Sequence, residues 1–278
     1  MTLRGPLARV APLLAAALVF VLILPHAMIV LVAFARDGTW TTQVLPPQYT
    51  IENFTRMARD PQLWIPVRNS LWMTVLATFA NIVVCFVAAY LLVRRRFVGR
   101  GLLQLLVVLP WAIPGTAIAI GLASTFDRNA SAQLRFLLVG TFWILPLAYF
   151  VRGIPLVTSA VEGSLRQMDP SLEDAARGLG ASWWLAMRRV VIPAARPGLA
   201  AGATLAAITA VGEFVASIVL YTHANRPISM EILAQLRNLS FGTAAAYSVL
   251  LILLVLLISV AARLLGGRAE RIETIPTA

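Results

Sequence analysis

The chain has 278 residues, of which 59% are hydrophobic and 13% charged. A soluble domain is about half apolar and about a quarter charged, so this composition, with a mean hydropathy of +0.82, excludes an ordinary soluble protein and points to a membrane protein. The net charge of +11 comes from arginine alone, since the chain has no lysine. These arginines flank apolar runs instead of lining one face, which fits anionic lipid headgroups and not a nucleic acid. Without lysine there is no P-loop, whose Gly-x-x-x-x-Gly-Lys-Ser/Thr pattern needs one. Any ATP hydrolysis must therefore sit on another polypeptide. Cys85 stands alone, inside an apolar run, and can form no intrachain disulfide.

The first apolar run covers residues 11–35, behind Arg4 and Arg9. It is too long for a signal-peptide core and reads as a retained first span. His26 within it reads as a packed or interfacial side chain. Residues 36–66 are polar and mixed, broken at Pro46-Pro47, with Thr50 placed to cap a short helix from Ile51 to Met57. A second span is expected over 67–93, ending at Arg94-Arg95-Arg96. The third, over 102–124, contains Pro110 and Pro114. Their freed carbonyls need neighbouring helices or water, which fits either packed interior helices or the lining of a pathway. A polar turn at Asp127-Arg128-Asn129 precedes a fourth span over 134–157, with Arg152 near its end. A polar segment over 159–197 leads to a fifth span over 199–221, which opens on small residues that permit close helix approach. The loop holding His223, Arg226, Glu231 and Arg237 leads to a sixth span over 243–265 and an arginine-bearing tail.

The expected fold class is thus an all-α membrane protein of six transmembrane helices, a single domain over 1–278. Six spans place both termini on one side. Arginine bias puts the termini, the Arg94 to Arg100 loop and the 159–197 segment in the cytoplasm.

The 159–197 segment carries the densest local signals. Asp169 can cap a helix that opens at Pro170. Glu173 and Asp174 lie in its first turns, where the helix dipole favours carboxylates. Ala175, Ala176 and Arg177 continue it, and Gly178 and Gly180 can end it. Ser182 can cap a second helix with Trp184, Met187 and Val191 on one face, stopped before Pro193. With Asp174-Ala175-Ala176, Gly180 and Val190-Val191-Ile192-Pro193 at this spacing, the segment resembles the cytoplasmic signature loop of permease subunits of type I binding-protein-dependent ABC importers. Two positions depart from that pattern: Asp174 stands for Glu, with Glu173 adjacent, and Val190 stands for Ile.

The resemblance implies a non-catalytic permease subunit of the bacterial inner membrane. Its implied partners are two ATPase subunits, which bind the ATP and Mg, a second permease, identical or sister, and an external substrate-binding protein. This chain itself would carry no cofactor. The loop would be a coupling helix between spans four and five, with Glu173 or Asp174 paired to a basic group of the ATPase. Ala175, Ala176 and Ala181 would keep the contact flat, Gly180 would make the turn, Ser182 would cap the second helix, and Pro193 would close the motif.

No metal or catalytic constellation stands out: there is no His-Glu-x-x-His, no Cys cluster and no Gly-x-Ser-x-Gly. Glu213 is the one carboxylate well inside an expected span. Its cost at that depth fits a pathway group and a structural ion pair equally. It lies about 12 Å short of Tyr221 at ~1.5 Å per residue, nearer the external side. Gly212-Glu213-Phe214, Tyr221-Thr222 and Arg226-Pro227-Ile228-Ser229 are similar to importer permeases for ferric iron and for oxyanions, most of all the ferric-iron group. That resemblance implies ferric iron as cargo, with an oxyanion, a phosphonate or a polyamine as alternatives; Glu213, Pro110 and Pro114, read from their place inside apolar spans, are the candidate path residues. Two readings of another class stay open: an ATP-independent secondary transporter, which would show inverted repeats and midplane polar sites, and a membrane scaffold in which Glu213 is structural.

Overall fold

The computed structural model describes residues 6–40, 43–127 and 137–273; these form α-helices and connecting turns, with no strand among them. Arg4 and the Arg128-Asn129 turn lie outside the described residues. The chain falls into two compact units, residues 1–64 with 231–252, and residues 65–230 with 253–278.

In the first unit, α1 (Pro6–Ala33) is apolar and exposed along most of its length, the surface that lipid solvates. The polar segment after it is folded, not loose. The Asn53 amide, from α2 (Glu52–Arg59), donates to the carbonyls of Ala33 and Ala35 at 2.9 and 2.8 Å. Asp37 accepts from the Thr243 hydroxyl and amide at 2.6 and 3.1 Å, and Arg56 donates to the same hydroxyl at 2.7 Å. A Cβ on Gly242 would run into the Ala35 carbonyl, so the chain crosses here at backbone distance.

The second unit is built on α3 (Ile65–Arg94), α6 (Ile144–Gln167) and α9 (Ile192–Val211), which pack on one another. Small residues set the α6–α9 distance. A Cβ on Gly198 would strike the Ala160 carbonyl, and one on Gly202 would lie 2.9 Å from the Val157 Cα. Close approach of this kind holds helices together where lipid offers no hydrophobic drive. Arginines cap the helix ends: Arg94 donates to the carbonyls of Leu165 and Met168 at 3.0 and 2.7 Å, and Arg100 to that of Leu92 at 2.8 Å. These carbonyls have no intrahelical partner of their own.

Five helical runs are long and apolar enough to cross a membrane: Pro12–Ala33, Pro61–Arg94, Ile144–Gln167, Trp183–Val211 and Phe241–Leu264. The expected third span is not one helix. It is α4 (Arg100–Ala112) and α5 (Gly115–Phe126), bent by 112° at Ile113-Pro114. Proline forces the preceding residue out of the helical region, and Ile113 is extended at φ −99, ψ 133. Taken as one span, this pair makes six crossings.

Two further boundaries differ from the sequence reading. The fourth helix starts at Ile144, not near 134, and ends at Gln167, not near 157. Gly140 (φ +83) and a Thr141 turn precede it, and the polar residues that looked like its end lie inside it. The fifth helix stops at Val211 instead of running to Tyr221. Glu213 is therefore not inside a helix but in a break, before the short α10 (Ser217–Leu220).

Candidate functional site

Two groups of polar residues deserve a physical account, one at each break in the second unit. The first is the segment after α6. Asp169 accepts the Ser171 amide at 2.9 Å, as expected of a cap. That backbone donor holds its carboxyl below the usual carboxylate range. Because folding lowers its pKa, the cap is intact above the ordinary value and is lost as pH falls through the lowered one. α7 (Ser171–Gly178) then carries Glu173 and Asp174 in its first turn.

The end of α7 is a Schellman turn. The Ala181 amide donates to the Ala176 carbonyl at 3.1 Å and the Gly180 amide to the Arg177 carbonyl at 2.9 Å, with Gly180 at φ +88. Space is not what demands glycine here, since nothing lies within 4 Å of where its Cβ would be. The requirement is the left-handed backbone alone. Ser182 caps α8 (Trp183–Ala186), accepting the Leu185 amide at 3.3 Å. The second helix is not stopped before Pro193. It widens into a π turn over Met187–Val191 and runs on into α9, with Pro193 in the first turn of that helix. Of its expected face, Met187 and Val191 are buried and Trp184 is 64% exposed.

The two adjacent carboxylates have different surroundings. Glu173 is buried, and its Oε1 accepts the Tyr90 hydroxyl at 2.9 Å and lies 3.6 Å from Arg95. Arg95 in turn donates to the Tyr90 hydroxyl at 2.9 Å. Asp174, Ala175, Gly180 and Ser182 are exposed, Ala176 and Ala181 half-buried, and Leu179 beside them is 91% exposed. Tyr90 and Arg95 escaped the sequence reading because each lies about eighty residues from Glu173. Tyr90→Phe is expected to cost about 1.5–3 kcal/mol, the range for a hydrogen bond to a charged group, read as a lower thermal midpoint of the purified chain.

The second group joins two helix breaks. Arg152 of α6 places its Nε 2.9 Å from Glu213 Oε2, a charge contact and not an aligned hydrogen bond. Glu213 Oε1 accepts the Ala216 amide at 3.0 Å, and the Glu213 carbonyl accepts the hydroxyls of Ser217 and Ser229 at 2.7 and 2.8 Å. Tyr149 and Ser217 share a hydrogen bond of 2.6 Å. On the other side, a Cβ on Gly115 would collide with the Arg152 guanidinium. The α4–α5 elbow thus sits against Arg152. Of the expected pathway residues, Pro114 lies at this junction and Glu213 in it, while Pro110 lies within α4, one turn away. The signal for Arg152 was an arginine between apolar stretches, whose partner the sequence did not reveal. The described residues hold no group of three or more His, Cys, Asp or Glu able to bind a metal ion.

The chain is similar to known proteins over most of its length. The chain is 32% identical over 83% of its length to a probable ABC transporter permease, y4fN, of Sinorhizobium fredii, and spans 41% of that longer relative. It is 30% identical to the sulfate transport system permease CysT of Salmonella typhimurium, over 76% of this chain and 79% of that one. Permeases of molybdate/tungstate and of spermidine/putrescine systems match as well. In fold it is similar to a bacterial ABC transporter involved in import of alginate, with a TM-score of 0.75 at 18% identity, covering 93% of this chain and 94% of that one. The family model of binding-protein-dependent transport system inner membrane components matches residues 81–271, and the chain belongs to that family.

Proposed function

We propose that this permease is half of the translocation path of an ATP-driven importer, and that α7 with the following turn is the surface on which an ATPase subunit acts. The observation that carries it is the 171–182 segment. It presents an exposed carboxylate, two small residues and a rigid left-handed turn together, beside the exposed Leu179 and Trp184. Apolar surface of this kind on a polar segment marks a contact site. Asp174 takes the ATPase contact in this reading, because Glu173 is engaged by Tyr90 and Arg95. Glu173 then ties the coupling helix to the end of α3, so that displacement of α7 is passed to a spanning helix.

ATP and Mg belong to the ATPase chains in this scheme, and a second permease completes the path. An external binding protein delivers the cargo. A transporter of the same fold has been crystallised with its alginate-bound periplasmic protein, which supports such a delivery step. Reversing a 1:99 equilibrium between inward-facing and outward-facing forms takes about 5.5 kcal/mol, which ATP-driven closure supplies through the loop. Both termini are cytoplasmic in this scheme, the orientation that the arginine bias favours.

For the cargo, the named relatives shift the reading from ferric iron towards an oxyanion, with a polyamine as the alternative. The test is co-purification: a tagged chain drawn from its own membranes is expected to bring an ATPase with it, and Asp174→Ala to bring less. Recovery without any ATPase would favour a secondary transporter or a scaffold. Cysteine labelling from outside intact cells checks the layout. Sites in residues 36–60 are expected to react and sites after Leu265 are not.

A further inference from the structure

We infer that Arg152 is a cargo-contacting residue, and that the cargo it receives is an anion such as a tetrahedral oxyanion. The inference rests on the importer reading above and deepens it by naming the substrate class.

The Arg152–Glu213 pair is engaged unequally on its two sides. On the acid side both carboxylate oxygens are engaged and buried. Oε2 faces the Arg152 Nε at 2.9 Å, Oε1 takes the Ala216 amide at 3.0 Å, and the carbonyl takes two serine hydroxyls. The Glu213 side chain is 5% exposed, so a passing cation finds no accessible oxygen. The basic side is the reverse. The Arg152 side chain is 26% exposed. Among the described residues no side chain or carbonyl accepts from its terminal nitrogens, and these are not sealed off like its Nε. Guanidinium offers five donors in a planar fork suited to bidentate recognition of oxyanions. What the pair shows to its surroundings is therefore donors only.

Position agrees with this. A charge in a spanning segment faces a water-filled cavity or a partner chain, not lipid. The guanidinium also lies on the backbone of Gly115, where a Cβ would displace it. There α5 opens with no side-chain cap, its first amides adding donors of the same sign. The buried Glu213 offsets the arginine charge. The site can thus accept an anion and release it, as a transport path requires, where an isolated arginine would retain it.

The test uses cells whose own copy of this gene carries the variant, a deletion strain as background, and labelled sulfate, molybdate and spermidine as probes. Chain-dependent uptake of sulfate or molybdate is expected. Arg152→Gln alone strands a buried carboxylate, so the decisive variant is Arg152→Gln with Glu213→Gln, which removes both charges. It is expected to lose at least tenfold of the anion uptake while its membrane level and the co-purified ATPase stay normal. Arg152→Lys is expected to keep part of the uptake. Wild-type anion uptake by the double variant overturns the role of Arg152. Chain-dependent uptake of spermidine, or of neither anion, overturns the substrate class while leaving the importer reading intact. Absence of an ATPase from the purified wild type would instead defeat the importer reading itself.

Discussion

Gly180→Val is expected to abolish uptake and to weaken capture of the ATPase, while the chain still inserts with its spanning helices intact. The residue sits at φ +88 at the end of α7, in a turn closed by the Ala181 and Gly180 amides. A β-branched residue in that region costs on the order of 1–3 kcal/mol, and the turn relieves the strain by changing shape. No neighbour limits the space, so the effect comes from the backbone and not from a clash. The strain falls on an exposed turn outside α3, α6 and α9, with nothing within 4 Å of the missing Cβ, which is why insertion survives. Gly180→Asn makes the control, because asparagine tolerates left-handed backbone better than other side chains. It is expected to keep most of the ATPase capture. Wild-type uptake by Gly180→Val would remove the coupling assignment.

Glu213→Ala is expected to lower the thermal midpoint of the purified chain. It leaves the Arg152 guanidinium without its partner, a loss of about 3–5 kcal/mol for a buried pair. The lower end applies here, since Arg152 keeps some contact with its surroundings. The change also frees the Ala216 amide that Glu213 caps. Glu213→Gln keeps an acceptor for that amide and is expected to fall between the two. If alanine and glutamine lower the midpoint equally, the charge contact accounts for the loss and the capping bond adds nothing; if glutamine matches the wild type, the capping bond alone matters.

These two residues also mark how far the chain could be read without its fold. Gly180, Ser182 and Asp169 were legible because capping and turn chemistry act over three to five residues. The structure has a left-handed turn at Gly180, a side-chain cap at Ser182, and an Asp169 side chain that takes the Ser171 amide from one residue before the helix cap at Pro170. Glu213 was legible only as an oddity. Its partner is sixty-one positions away in sequence, at Arg152, and no local pattern links the two. The same holds for Glu173 with Tyr90 and Arg95. The resemblance left open which of the two adjacent carboxylates would meet an ATPase; the structure buries Glu173 and exposes Asp174.

Composition and hydropathy settled the class of the protein, because spanning a membrane demands runs of about twenty apolar residues whatever the packing around them. They also pointed to helical crossings: lipid leaves backbone groups only a helix or a closed barrel, and runs of about twenty apolar residues fit the helix, not the shorter barrel strand. Helix ends were a different matter. The third span folded into two pieces at Ile113-Pro114, the fourth shifted by ten residues to Ile144–Gln167, and the fifth stopped at Val211. In an apolar stretch the local preference hardly changes from one residue to the next. The ends are therefore chosen by contacts that form only on folding: the close α6–α9 approach at Gly198 and Gly202, the elbow against Arg152, and the bonds that Glu213 makes across its break.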